Sequence, residues 1–112
     1  MTEGDRVGSW HRVAKLADLA PDQPKPVSIA GLAIALYRIG DAVYATRDLC
    51  THAFACLSDG WLEGEEIECP LHGGRFHVPT GRALGGIVTV DVETYPVRVE
   101  DDVVLVRVAA AH

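Results

Sequence analysis

The sequence predicts an all-β domain: an antiparallel β-sandwich or partly open barrel with a small β-subdomain inserted in its middle. Three observations lead there. Apolar residues make up 48% of the chain and valine recurs throughout, which supplies a core and favours extended segments. Runs with helical periodicity are few, whereas 11 glycines and 6 prolines cut the chain into short pieces. A length of 112 residues fits one domain spanning 1–112, with a core small enough to benefit from a metal staple.

Trp10 to Lys15 reads as a first strand, and Leu16 to Ala20, before Pro21, as one short helical turn. Asp22 to Pro26 is a turn, with three prolines between positions 21 and 26. Val27 to Ile29 and Leu32 to Ile39 read as strands around Gly31; Gly40-Asp41 is a hairpin turn, and Ala42 to Thr46 returns. Up to this point the chain is expected to be a β-meander. Asp48 to Thr80 breaks that rhythm and holds every cysteine. Asp59-Gly60 is a turn, Glu65 to Cys69 alternates around Ile67 like a half-exposed strand, Arg75 to Val78 can pair with it, and Pro79-Thr80-Gly81 turns again. Residues of about 48–80 are therefore expected to form the inserted subdomain (loop, hairpin, loop) on a basal β domain of 8–47 and 81–108. Val88 to Val92, Tyr95 to Glu100 and Val103 to Val108 resume the strand pattern, with Asp101-Asp102 as a hairpin turn and Ala109 to His112 as a frayed tail.

Net charge is −6 and no Lys/Arg run exists, which argues against a nucleic-acid or anionic-membrane partner and for basic protein partners. Met1 to Gly8 is polar and lacks the apolar core of an export signal. The longest uncharged stretch, Pro26 to Tyr37, is 12 residues, against the roughly 20 that span a bilayer. A soluble, cytoplasmic protein is expected. In a reducing cytosol three cysteines, an odd number, read as a metal site before a disulfide framework.

Ligand-type residues concentrate in two strings, Cys50-Thr51-His52 and Cys69-Pro70-Leu71-His72, with sixteen residues between His52 and Cys69. Each string offers one thiolate and one imidazole from a single turn, so two turns at neighbouring hairpin tips form a pincer around a metal centre. Gly73-Gly74 lets the backbone come close to an inorganic core. A structural zinc ion also accepts two Cys and two His, so a zinc-stabilised interaction module competes with this reading. Cys–His nucleophilic chemistry leaves the second pair unexplained, and no acid/base pair or substrate site stands beside the strings; no catalytic residue is assigned.

The spacing Cys-x-His, sixteen residues, Cys-x-x-His resembles that of Rieske [2Fe–2S] proteins, and with Phe76, the Thr-Gly turn at Gly81 and the flanking strands nearly the whole chain resembles a soluble Rieske ferredoxin. The resemblance implies one [2Fe–2S] cluster, with Cys50 and Cys69 on one iron and His52 and His72, through Nδ1, on the other. It implies a one-electron carrier of a bacterial aromatic-ring dioxygenase system, not an enzyme: a monomer fed by a flavin-containing NAD(P)H-dependent ferredoxin reductase and feeding a terminal Rieske oxygenase. A small Rieske subunit of another oxidoreductase, such as a nitrite reductase, is the alternative within the fold. Two ferric ions, two sulfides and two thiolates sum to zero charge, so such a centre accepts an electron more readily than a four-thiolate cluster, within roughly −150 to +300 mV. High-potential relatives clamp the ligand loops with a disulfide and donate hydroxyls to the cluster; this chain has Leu71, Gly74 and Phe76 there, which implies the low end of that range.

Other residues carry plainer expectations. Cys56, left without a disulfide partner, is a redox sensor, a vestige or, as favoured, a small buried or semi-buried residue near the cluster. His77 tunes the cluster, carries protons or, as favoured, is a strand histidine. Glu63, Glu65, Glu66 and Glu68 form a docking patch or a solvated hairpin face. Trp10, Trp61, Tyr37, Tyr44 and Tyr95 read as core or strand-surface aromatics.

Overall fold

Alternating and continuous apolar runs become eleven antiparallel strands in three sheets in the computed structural model, which describes residues 9–51, 55–71, 73–85 and 88–108. Among these residues there is no α-helix, only two short 3₁₀ turns, Leu16–Asp18 and Leu57–Asp59. The all-β expectation holds.

The first sheet, in spatial order, is β1 (Ser9–Lys15), β11 (Val103–Val108), β10 (Val97–Glu100). The second runs β2 (Lys25–Ile29), β3 (Leu32–Ile39), β4 (Ala42–Arg47), β9 (Thr94–Tyr95). The third runs β5 (Trp61–Glu63), β6 (Glu66–Glu68), β7 (Arg75–His77), β8 (Arg82–Gly85). Two-residue turns join β2 to β3 and β10 to β11 with both central residues at positive φ: Ala30 at 51° and Gly31 at 84°, Asp101 at 49° and Asp102 at 65°. That backbone matches the twist of the strands it connects, and Asp tolerates it better than most side chains.

β3 explains the architecture. Ile34, Ala35, Leu36 and Tyr37 are all fully buried, so neither face of this strand meets water. Ile34 and Leu36 join Ile29, Ala45, Val104, Val106 and Val108 in one core, between the first and second sheets. Ala35 and Tyr37 point the other way, into a core with Leu57, Ile67, Phe76, Val78, Val88, Val92 and two cysteines, which faces the third sheet. The near-continuous apolar run Leu-Ala-Ile-Ala-Leu-Tyr is what burial on two faces requires. The Thr46 hydroxyl gives its one proton to the Arg47 carbonyl (2.9 Å), so the Tyr37 hydroxyl donates to Thr46 (2.8 Å), and burial drives the Tyr37 phenol well above its ordinary range.

Four expectations are corrected. β1 does not continue into a meander: it pairs with β11 at the other end of the chain, Trp10 opposite Arg107, and of the first four strands β2, β3 and β4 alone run as a meander. The turn after Pro21 ends at Pro24, since Lys25 and Pro26 already pair with Leu36 and Ala35; Pro26 is tolerated because β2 is an edge strand. Tyr95 to Glu100 is two strands, because Pro96 interrupts the ladder and β9 and β10 lie in different sheets. Val88 to Val92 is not a strand; its buried valines and its hydrogen bonds serve a loop. The short strands β5 and β8 were not foreseen individually. The expected tail Ala109 to His112 lies outside the described residues.

Candidate metal centre

The cysteines sit where the chain leaves the second sheet and where it turns within the third. After β4, Asp48 is buried, and its amide N–H bonds the Ala33 carbonyl (2.9 Å). Its carboxylate accepts from the Ser58 amide (2.7 Å) and the Ser58 hydroxyl (2.8 Å), which ties both ends of the 48–58 segment together. Inside that tie the Cys50 amide donates to the Ala55 carbonyl (2.9 Å), placing Cys50 at the neck of the first loop. Cys69 follows β6 directly. Its amide donates to the Gly74 carbonyl (2.7 Å) and its own carbonyl accepts from the Gly73 amide (3.1 Å), which closes residues 69–74 into a second loop before β7. Gly73, at φ 72°, takes a backbone conformation that other residues rarely adopt.

Both thiols are buried, Cys50 at 5% exposure and Cys69 at 1%, in the same apolar cluster as Leu57, Ile67, Phe76 and Val88. Both cysteines that the sequence singled out as ligands lie in this one buried cluster. The nitrogen donors, His52 and His72, lie outside the described residues. Among the described residues no three His, Cys, Asp or Glu side chains gather as a metal site. Two buried thiols in an apolar cluster suit a group bound through sulfur. Its sulfur side is apolar and dry, whereas Thr51, Leu49, Leu71 and Val90 around the two loops are exposed.

Three neighbours of the loops are resolved in role. Cys56 is exposed, contrary to the buried or semi-buried position expected, because its bridge to Leu49 holds it on the outer side of the first loop. Partial desolvation and then the charges of Asp48 and Asp59 push its thiol up, so it is a poor nucleophile at neutral pH. His77 uses both ring nitrogens within the hairpin, Nδ1 with Thr80 Oγ1 (2.8 Å) and Nε2 with Glu65 Oε1 (3.1 Å), as a strand histidine with a local structural role. Arg75, not singled out from the sequence, sits among the glutamates and pairs with Glu68 (3.0 Å), Glu66 (3.2 Å) and Glu63 (3.9 Å). Four carboxylates against one guanidinium still leave three negative charges on a hairpin that leads directly into Cys69. Asp48 and Val88 were missed as well; Asp48 follows a strand and Val88 lies in an apolar run, and neither pattern reveals a loop tie.

An all-β chain that holds a buried thiol pair on two adjacent loops has the build of a small metal-cluster protein. Residues 9–96 match the family model described as the Rieske [2Fe-2S] domain, and the chain belongs to that family. It carries one [2Fe–2S] cluster, and within the family it is a ferredoxin, an electron carrier rather than a catalyst. The ferredoxin component of the naphthalene 1,2-dioxygenase system of Pseudomonas putida is 48% identical over 92 residues, 82% of this chain and 88% of that protein. The solved ferredoxin of carbazole 1,9a-dioxygenase from Nocardioides aromaticivorans IC177 is 40% identical, with a TM-score of 0.85 over 88% of this chain and 97% of that one. A chain from the complex of reduced oxygenase and oxidized ferredoxin in carbazole 1,9a-dioxygenase is 38% identical, with a TM-score of 0.85 over 96% of this chain and 98% of that one.

Proposed function

We propose that this ferredoxin receives single electrons from a flavin-containing NAD(P)H-dependent ferredoxin reductase and delivers them to a terminal Rieske oxygenase that hydroxylates an aromatic ring. In this reading it works in the cytoplasm as a monomer, and residues of about 48–80 are the cluster-binding part of a single domain. Cys50 and Cys69 hold one iron and His52 and His72 the other. The bound cluster supplies reversible one-electron storage. The chain's part is to keep the sulfur side dry, to hold the two loops at a fixed separation, and to offer a surface on which a partner can approach.

The observation that carries this reading is the position of the thiol pair: buried beneath loops whose exposed side chains include Leu49, Leu71 and Val90. A small set of exposed apolar side chains suits the limited interface of a transient electron-transfer encounter. The adjoining hairpin, with its three uncompensated negative charges, suits a basic partner surface. The ferredoxins it resembles serve dioxygenase systems for naphthalene and carbazole, which supports the same place here.

Reconstitution tests the assignment. Mixed with a reductase and an oxygenase of such a system, the protein should support NAD(P)H-driven ring hydroxylation that stops when it is left out. If the hairpin docks, electron transfer to the oxygenase should slow by about tenfold between 20 mM and 500 mM salt, as screening removes steering. A flat salt response would leave the glutamates as a solvated face.

The midpoint potential is expected to follow from the scarcity of hydroxyl donors among the described residues beside the cysteines. Phe76 is fully buried, Gly74 has no side chain, and the nearby Tyr37 has committed its only hydroxyl proton to Thr46. With few donors to spread negative charge on the sulfurs, a redox titration should fall in the lower half of the roughly −150 to +300 mV range. A midpoint well above zero would contradict the donor argument.

A further inference from the structure

The chain has two tryptophans, and the structure treats them differently. Trp10 lies on β1 with two guanidinium groups over its ring, Arg98 at 4.5 Å from the centroid and Arg107 at 5.5 Å. Trp61, on the edge strand β5, is 61% exposed, and no guanidinium stands over it among the described residues. Its place is nonetheless fixed. Gly60 lies so close to the Glu68 carbonyl that a Cβ there would overlap it, so only glycine lets β5 start this tightly against β6. The register then sets Trp61 opposite Glu68, the residue before Cys69, and Glu63 opposite Glu66. Directly opposed residues, and residues two apart on a strand, share one face of a sheet. Trp61, Glu63, Glu66 and Glu68 therefore point outward, away from buried Ile67, and with Arg75 from β7 they line one surface depression.

Arg75 occupies the inner side of that depression. It pairs closely with Glu68 (3.0 Å) and Glu66 (3.2 Å), whereas Glu63 stands 3.9 Å from it with a side chain 83% exposed. At the free edge of the sheet an open indole face and a loosely engaged carboxylate are thus neighbours. A guanidinium suits that pair: its plane stacks on the indole while its N–H groups donate to the carboxylate. Trp10 shows the stacking half of this chemistry with the chain's own arginines. Tryptophan is also among the residues that most often dominate binding energy at an interface. We propose that Trp61 and Glu63 form a slot for an arginine side chain on the docking surface of the terminal oxygenase, with Trp61 as the anchor of that interface. The inference rests on the proposed delivery of electrons to such an oxygenase. It adds one short-range contact to the general attraction between the glutamates and a basic surface. That contact fixes where the partner sits, beside Glu68 and so beside Cys69.

The test uses the cluster-loaded protein, reduced and mixed by stopped flow with an oxidised oxygenase. The probe is the terminal oxygenase of the naphthalene 1,2-dioxygenase system, whose ferredoxin component is 48% identical to this chain. The transfer rate is read against oxygenase concentration. Trp61→Ala should raise the half-saturating concentration about tenfold, as expected for loss of a partly desolvated cation–π contact, with the visible spectrum and midpoint potential as in the parent. Trp61→Phe keeps an aromatic face and should stay within about threefold of the parent. Trp61→Leu keeps apolar bulk without that face and should be as weak as Trp61→Ala. Glu63→Gln should cost about threefold by itself and much less in the Trp61→Ala background, because both groups hold one side chain. A Trp61→Ala or Trp61→Leu protein with parental half-saturation would overturn the slot, and so would a Trp61→Ala defect confined to reduction by the reductase. A parent protein that passes no electrons to the oxygenase would overturn the carrier reading and the slot with it, a result distinguishable from the others.

Discussion

Replacing Cys69 with serine is expected to leave a colourless protein with less than about a tenth of the parental iron and labile sulfide. Cys50→Ser should do the same, and Cys56→Ser should keep the full complement. The ground is physical. A thiolate is a soft, readily formed ligand for iron–sulfur chemistry, whereas a serine hydroxyl holds its proton far more tightly and offers hard oxygen instead. Both cysteines also face an apolar interior that contributes no replacement donor: Cys69 is 1% exposed, among Ile67, Phe76 and Val88. Because metal binding and folding are coupled, both variants should also melt at lower temperature than the parent. Iron and sulfide analysis after anaerobic reconstitution gives the readout. Full cluster content in Cys69→Ser, or its loss in Cys56→Ser, would refute the proposed sulfur ligands.

The second large effect is at Phe76. It occupies the middle of β7, opposite Ile67 on β6 and Ala83 on β8, and is fully buried in the cluster that contains Cys50 and Cys69. Phe76→Ala removes a whole ring from a wall that cannot collapse easily, since paired strands hold it on both sides. A cost of about 3–5 kcal/mol is expected, measured as a shift in the denaturant midpoint. Leu84→Ala, at an exposed side chain two strands from Ile67, is the control and should stay within about 0.5 kcal/mol. A cost below about 1 kcal/mol at Phe76 would mean that the ring is not part of the rigid wall described here.

Legibility in the sequence followed the range of the interactions. Local patterns were readable: the apolar run of β3, the return of β4 after Gly40-Asp41, the Asp101-Asp102 turn, and the pairing of the Glu65–Cys69 segment with Arg75–Val78. Long-range pairing was not, because nothing in Trp-His-Arg-Val-Ala-Lys specifies β11 rather than β2 as its neighbour. The valines of 88–92 imitate strand periodicity, yet Val88 and Val92 are buried by tertiary contacts with Gly74 and Gly81, and the backbone between them bonds to side chains instead of a ladder. The sulfur half of the candidate centre was visible because cysteines beside histidines at short spacing are rare and chemically specific. Its supports were not. Asp48 does its work through Ser58, ten residues away, and Arg75 through three glutamates on two other strands.

The double burial of β3 has a consequence for how this carrier can change over time. One strand serves as ceiling to the basal core and as floor to the metal end, so its odd and even positions answer to different neighbours while sharing a single backbone. A slip of one residue would exchange Ile34 and Leu36 for Ala35 and Tyr37 and spoil both interiors at once. Variation in such a protein has to run around this strand, through rims, hairpin charges and loops, and the central thread is the part least free to drift.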